Sequence, residues 1–394
     1  MPFSKILAAM PETYDGIIIG GGPCGAAAAR ALAQRGWRVA LVDKQAFPRE
    51  KTCGDALLPD ALKALQSMGL AADVREVGHA VNGLSVFSPS GREARIAGAF
   101  LTLRRGALDG LLFKAAEQAG ACALQAEALA LVEDEDGVRV DLGAGRCLSA
   151  RACLLATGAD VRLLRAMAPT ALAGPTAIAS RCYVRSTQPL KRMILTYDRG
   201  LGPAYAWIFP MAEGWHNVGV GSLWRPGRMP NHRLLFQRFT QVFPLARNLM
   251  AAAIQTSPLR SAPLRCGLDL PSLQPGRRIL AAGEAASATF PFTGEGVGKA
   301  LETGLLAADA VHALLAGDPL GLQGYTRAAR GLKPRYQAYQ AAHGLVKHPW
   351  LMDLAVWRLA QSPWLAECAA AVLSEDQDPR LFFSAFSLLK SFFA

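Results

Sequence analysis

Apolar positions in this chain come in short unbroken blocks separated by glycine-marked polar loops. The first block, residues 14–19, is β-rich and ends at Gly20, and residues 26–35 form a small-residue, helix-compatible stretch closed by Gly36. Residues 37–42 form a second buried block that ends on Asp43. A strand that is apolar at every position is covered on both faces, so this pattern predicts a β-α-β unit in a parallel sheet. Helices are predicted at 59–68 and 108–119, with strand-like alternation at 80–100 between them, and short strands at 128–132, 138–142 and 152–156.

From about 175 to 265 the texture changes to strands broken by Gly and Pro, at 192–197, 204–209 and 217–223, which predicts a second lobe. An apolar strand at 278–282 then enters Gly283-Glu284-Ala285-Ala286 and a glycine-punctuated helix through Ala308, the texture of the first lobe again. Residues 330–394 are apolar and predicted helical. Trp350, Trp357 and Trp364 recur there at a spacing of seven, with Phe382, Phe383, Phe386, Phe392 and Phe393 beyond, a pattern that reads as helix packing or as a membrane-facing stripe.

Composition narrows the class. The chain has 394 residues, 51% hydrophobic and 19% charged, which excludes a disordered tail, a collagen-like fibre and a small disulfide scaffold. At roughly 100 to 200 residues per domain it holds two or three lobes. No block reaches the ~18 apolar residues of a spanning helix. The apolar patch in residues 1–15 is too short for a secretory signal, so a cytoplasmic location is expected. The eight cysteines form no CxxC pair and have no His at ligand spacing, so reduced thiols and no metal are expected. The net charge of +11 admits anionic lipid or an acidic partner. Its cations are dispersed and no nucleic-acid motif accompanies them, so no nucleic acid is expected.

Gly20, Gly22 and Gly25 satisfy GxGxxG between a predicted strand and a predicted helix. Gly20 permits the tight turn, Gly22 lets a pyrophosphate approach the backbone, and Gly25 lets helix and strand pack closely. The helix N-terminus supplies free N–H groups and partial positive charge, and Asp43 is placed to accept from a ribose. This motif suits either of the ADP-containing cofactors, FAD and NAD. The later motifs decide for FAD: Arg105-Gly106-Ala107-Leu108-Asp109 opening a helix, Ala156-Thr157-Gly158 closing a strand, and Gly283-Glu284-Ala285-Ala286 followed by Pro291-Phe292-Thr293-Gly294-Glu295-Gly296. A second helix N-terminus over a flavin stabilises the negative charge of its reduced ring, and a nicotinamide enzyme has no use for this late return.

Over residues 13–320 the chain resembles the FAD-dependent group that includes p-hydroxybenzoate hydroxylase and the flavin-dependent halogenases, and within it the geranylgeranyl reductase family. Three segments carry the resemblance: FPREKTCGDAL at 47–57, GPAYAWIFPMAEGWHNVGVG at 202–221 and GEAASATFPFTGEGVGKALETG at 283–304. The middle segment resembles the family's substrate-site signature through Tyr205, Trp207, Phe209 and Pro210. The resemblance implies an α/β fold: a Rossmann-like FAD-binding lobe (13–75, 101–174, 276–325), an inserted antiparallel β-sheet substrate lobe (76–100, 175–275) and C-terminal helices (326–394). It places Gly20, Gly22, Gly25, Asp43, Lys44, Arg49, Cys53, Gly54, Arg105, Gly158, Gly283, Glu284, Pro291, Gly294, Gly296 and Val297 at FAD. Two departures are visible. Gly16 stands where a β-branched residue is usual, and Ala159-Asp160-Val161 replaces the Asp-Gly turn of flavin hydroxylases, which puts their mode of NADPH docking in doubt.

The expected reaction is hydride transfer from reduced FAD to a carbon-carbon double bond of an apolar prenyl or polyene substrate. Cys53 is the expected catalytic proton donor, in a loop whose Lys and Arg residues tune its thiol. Cys24, inside the phosphate loop, reads as a small filler. Tyr205, Trp207 and Phe209 alternate along a strand and therefore share one face, an aromatic wall for an apolar or aromatic substrate, free or held on a carrier or protein. His216 and Asn217, which open the next strand, read equally as structural hydrogen-bonding groups or as catalytic ones. The alternative reaction is hydroxylation, or less readily halogenation, of an aromatic group on the same cofactor. Residues 205–210 read YAWIFP rather than the Trp-x-Trp-x-Ile-Pro of flavin halogenases. No separate nicotinamide fingerprint is present, so the electron donor is external: NAD(P)H, ferredoxin or a flavin reductase. Peripheral contact with the inner face of a membrane is the further expectation that charge and tryptophans together raise.

Overall fold

The computed structural model describes residues 12–169, 174–223 and 231–382. Two sheets organise them. The first has seven strands in the order Cys122–Gln125, Val39–Asp43, Glu12–Ile19, Arg146–Leu155, Val138–Gly143 and Ala130–Glu133, and Ile279–Ala281 adds beside Arg146–Leu155. Pairing is parallel from Cys122–Gln125 through Arg146–Leu155 and on to Ile279–Ala281. Helices Pro23–Ala33 and Val297–Leu315 pack against one another on this sheet, and their small residues set the spacing. Ala26 to Ala29 are fully buried, and a Cβ at Gly304 would lie 2.4 Å from the Cys24 carbonyl oxygen. The two backbones therefore nearly touch, which holds the late helix beside the glycine loop 280 residues earlier in the chain on the order of residue number.

The second sheet has nine strands, in the order Ala253–Thr256, Ala177–Ser186, Trp215–Leu223, Ala204–Pro210, Met193–Thr196, His79–Phe87, Glu93–Thr102 and Ala56–Leu57, with Arg260–Leu264 also against Ala177–Ser186. It is antiparallel except where Met193–Thr196 lies parallel to His79–Phe87, two segments from separate excursions of the chain. The segment expected to end at 100 continues to Thr102, whose hydroxyl donates to the Pro210 carbonyl at 2.6 Å. The sheet also takes Ala56–Leu57 from before the expected boundary at 76.

Two helices, His232–Val242 and Pro244–Ala251, interrupt what the sequence texture presented as strands only. Asn231 caps the first by accepting from the Arg233 and Leu234 amides at 3.0 and 3.2 Å. Leu235, Phe236 and Phe239 fall on its buried side, against Val184, Val218 and Val220 of the sheet. The opposite face of the sheet is covered by Pro349–Gln361 and Pro363–Leu373, through Met352, Val356 and Ala369 against Val86, Ala94 and Ile96. The tryptophan repeat is not one stripe. Ser362-Pro363 breaks the helix, Trp350 and Trp357 precede the break, and Trp364 follows it. Residues 1–11 and 383–394, with Phe383, Phe386, Phe392 and Phe393, lie outside the described residues.

Candidate active site

A cavity of about 840 Å³ runs from the glycine loop of the first sheet, across the aromatic strand of the second, to the space under the terminal helices. Its first stretch is a cradle of backbone. Gly20 has φ +106°, and a Cβ there would sit 2.3 Å from the Ala156 carbonyl oxygen; a Cβ at Gly25 would sit 1.8 Å from the Gly20 carbonyl oxygen. No L side chain fits either place. Helix Pro23–Ala33 begins at Gly22 with no side-chain cap, which leaves its first N–H groups for an anion. Asp43 stiffens the loop by accepting from the Gly21 amide at 2.7 Å and the Gln45 amide at 2.9 Å. Arg49 leans over it, with Nη2 3.5 Å from Asp109 Oδ2 and a buried Nε that has no acceptor. Lys44 pairs with Asp160 at 3.2 Å and Lys51 with Glu284 at 3.5 Å at the rim. An orphaned guanidinium nitrogen, an uncapped helix start and glycines that no Cβ can replace fit the two phosphates of FAD.

The middle stretch is the Cys53-Gly54-Asp55 turn. Asn217 pins it from the second sheet, donating to the Cys53 carbonyl and to Asp55 Oδ2, both at 2.8 Å, while its own oxygen accepts from Trp207 Nε1 at 2.8 Å. Tyr183 donates to the same Asp55 oxygen at 2.6 Å, and the Arg105 amide approaches Oδ1 at 3.3 Å. Asp55 is fully buried at φ +64°, and burial pushes its carboxyl up to about 6 against the opposing pull of Tyr183, Asn217, Arg181 and Arg105. Arg105 makes a bidentate pair with Asp109 at 2.7 and 2.8 Å. Burial opposes the Arg105 charge, and the Asp109 carboxylate more than offsets it, holding the guanidinium above its ordinary range.

The last stretch is apolar. Tyr205, Trp207 and Phe209 line one wall with successive ring centroids 5.8 and 6.2 Å apart. A Cβ at Gly54 would meet the Phe209 ring at 3.2 Å, so the turn packs directly on that wall. Leu84, Val86 and Ile96 of the sheet and Met352, Ala355 and Ala369 of the terminal helices enclose the rest. A smaller cavity of about 440 Å³ adjoins it behind Tyr197 and Met352, with Arg199 and Lys347 in its lining.

Most of the residues expected from sequence meet here. Gly20, Gly22, Asp43, Lys44, Arg49, Cys53, Gly54, Arg105, Gly158, Glu284, Gly294, Gly296 and Val297 all line the cavity, as do the three aromatics. Four do not. Gly25 and Gly283 act in packing, Gly283 against Cys24; Pro291 turns its carbonyl to His343 at 3.0 Å; and Pro210 falls on the far side of its strand by the alternation that places Phe209 inside. Cys24 is buried filler, its thiol pushed up to about 12 by burial. Asn217 belongs to the site, whereas His216 is buried outside it with an imidazole that burial holds in the neutral form. The resemblance puts Asp55 beside Cys53 and Gly54 at the flavin face, and it lines the cavity; its partner Tyr183 escaped the sequence reading, since nothing local joins residues 128 positions apart. No group of side chains that could hold a metal occurs among the described residues.

A parallel-sheet phosphate cradle joined to a substrate sheet by one long cavity defines an FAD-dependent oxidoreductase. Residues 13–150 match the family model described as an FAD binding domain. Over 320 residues the chain is 31% identical to menaquinone reductase of Mycobacterium tuberculosis, covering 76% of each. It is 27% identical over 343 residues to digeranylgeranylglycerophospholipid reductase of Methanoculleus marisnigri, covering 78% of this chain and 79% of that one. Among solved structures, a geranylgeranyl bacteriochlorophyll reductase-like protein of Thermoplasma acidophilum superposes with TM-score 0.79 at 21% identity over 97% of this chain and 96% of its own. A flavin-dependent brominase superposes with TM-score 0.75 at 19% identity, over 96% and 99%, and shares the fold. The chain belongs to the geranylgeranyl reductase family, within the FAD-dependent p-hydroxybenzoate hydroxylase-like oxidoreductases.

Proposed function

We propose that the protein reduces carbon-carbon double bonds of an apolar prenyl or polyene substrate. The observation that carries this reading is the apolar far half of the cavity, which continues beyond the phosphate cradle between the aromatic wall and the terminal helices. The relatives named as menaquinone and digeranylgeranylglycerophospholipid reductases support it. Bound FAD supplies the hydride. Gly20, Gly22 and Arg49 hold its phosphates, and Gly158, Glu284, Gly294, Gly296 and Val297 border it. Tyr205, Trp207 and Phe209 orient the alkene and exclude water. Cys53 delivers the proton, and Arg105, which lines the same cavity, provides the counter-charge once the proton has gone.

The test is anaerobic turnover of long prenyl substrates, menaquinone among them, by dithionite-reduced holoprotein, read by mass spectrometry. Gain of two hydrogens per turnover without oxygen is expected, and Cys53→Ala should lose on the order of 100-fold in rate with flavin retained. A product that appears only with oxygen and carries its atom would instead establish the aromatic hydroxylase reading, for which the same wall serves.

The same reading puts the protein at the inner face of a membrane, where such substrates reside. Trp350 is 65% exposed, three residues after the exposed Lys347, which lines the smaller cavity together with Arg199. No helix among the described residues is long and apolar enough to cross a membrane. Flotation with anionic liposomes should be strong at low salt and weak at high salt; absence of flotation at both would end the idea.

A further inference from the structure

Two phenol hydroxyls stand unmatched in the apolar half of the cavity. Tyr197 directly follows strand Met193–Thr196 and Tyr205 lies on strand Ala204–Pro210; their ring centroids are 6.4 Å apart and both residues line the cavity. Neither hydroxyl makes a hydrogen bond within the described residues, and neither is sealed in packed interior, so each opens on the cavity. Their surroundings supply no acceptor. Both tyrosines belong to one apolar cluster with Val86, Ile96, Leu195 and Met352, and Tyr197 stacks on Phe292 at 6.0 Å. The next ring of the wall differs, because the Trp207 indole N–H is already taken by Asn217.

The position of the Tyr205 hydroxyl is built into the sheet. Gly221 pairs with Tyr205 directly across the strands, and a Cβ at Gly221 would lie 2.5 Å from Cζ and 2.6 Å from the hydroxyl oxygen. The ring therefore lies over the neighbouring strand instead of standing off it. Its hydroxyl ends beside Gly294, where a Cβ would be 2.9 Å away, at the seam between the second sheet and the loop that leads into helix Val297–Leu315. Burial raises both phenols above their ordinary range, so both keep their protons and serve as O–H donors. A donor facing an apolar chamber is costly unless a water or a ligand oxygen completes it. A bare polyene has no such oxygen, whereas a carbonyl oxygen has two lone pairs.

We propose that Tyr197 and Tyr205 together bind a carbonyl oxygen of the substrate, so that the prenyl chain taken by this cavity is one carrying a carbonyl-bearing head, a quinone or an ester, and not a bare hydrocarbon. This inference rests on reading the apolar half of the cavity as the substrate chamber. The bound oxygen fixes the register of the chain along the chamber, and with it the double bond that is presented for reduction.

Equilibrium titration of the oxidised holoprotein tests it without turnover. The probes are menaquinone with a geranylgeranyl chain, geranylgeranyl acetate, and a geranylgeranyl-substituted naphthalene that lacks both quinone carbonyls. At least one carbonyl probe should bind about tenfold more tightly than the naphthalene, and Tyr197→Phe and Tyr205→Phe should each cost that probe about tenfold while leaving the naphthalene unchanged. The preference between the quinone and the acetate distinguishes the two kinds of head. In infrared spectra, the carbonyl stretch of the bound probe should lie below its value in detergent and move back towards it in the Phe variants, whose flavin absorbance and thermal unfolding verify that they are folded. The naphthalene binding as tightly as both carbonyl probes, or a carbonyl stretch that binding to the wild type does not shift, overturns the proposal and leaves the chamber standing. Failure of all three probes to bind overturns both. Both of these comparisons use the wild type alone, so the proposal stays falsifiable if a Phe variant does not fold.

Discussion

Asp55 sits in an environment that its charge opposes, and the consequence is a pH dependence. Its folded-state carboxyl is raised from 3.8 to about 6, chiefly by burial. The native protein therefore binds this proton more tightly than the unfolded chain. The stabilisation is fully present below the unfolded value and is lost as pH rises through about 6, on the order of 3 kcal/mol in all. Urea unfolding between pH 4 and 7 should show this downward component in the wild type and its absence in Asp55→Asn. The glycine loop separates folding from binding at the same scale. A Cβ at Gly22 would meet only the movable Arg49 Nη2, at 3.3 Å, whereas one at Gly25 would strike fixed backbone. Gly22→Val should fold and purify colourless, because its side chain fills the phosphate approach; Gly25→Ala should lose about 3 kcal/mol of thermal stability from backbone displacement.

Among elements, strand Trp215–Leu223 and the Cys53 turn act as one unit through Asn217. Asn217→Ala leaves the Trp207 indole N–H and the Cys53 carbonyl without partners in a buried place. It should cost about 3 kcal/mol in unfolding free energy, and, by displacing the thiol and the aromatic wall together, on the order of 100-fold in kcat with flavin content unchanged. The terminal helices are tied down differently. Lys299 holds Glu375, and Lys63 donates to the Ser374 carbonyl at 2.7 Å and to Asp376 at 2.5 Å, so two cations anchor the turn after Pro363–Leu373. Lys299→Met removes the cation from a buried set of acids and should lower stability by about 4 kcal/mol, measured by chemical denaturation.

At the scale of the molecule, function depends on a cavity that no single lobe contains. The first sheet supplies its phosphate cradle, the second its aromatic wall, and the terminal helices its cover. Ala355 lines the covered end, far from the glycine loop in sequence and on a different element. Ala355→Trp should retain flavin and short substrates while losing at least about tenfold in kcat/KM for long prenyl chains, since a bulky ring occupies the volume the chain needs. Equal loss on short and long substrates would place the long chain elsewhere.

Local requirements made the first lobe and the aromatic wall legible in the amino-acid sequence. Blocks of apolar residues imply covered strands, Gly20 and Gly25 are demanded by turn and packing geometry at their own positions, and a period of two puts Tyr205, Trp207 and Phe209 on one face whatever lies opposite. The same alternation, applied one residue further, excludes Pro210 from the wall. The helices at 232–251 were hidden because Gly and Pro at 224–230 continue the strand-like texture, and the tryptophan repeat misled because spacing persists across a helix break that Ser362-Pro363 imposes. Tertiary structure alone decided the Asp55, Tyr183 and Asn217 network, spanning separations of 128 and 162 residues, and the pairing of Lys299 with Asp60 and Glu375. Backbone conformation and side-chain periodicity are properties of neighbouring residues, but which buried acid meets which donor depends on how two sheets and a helical cover pack, and that arrangement exists only once the whole chain has folded.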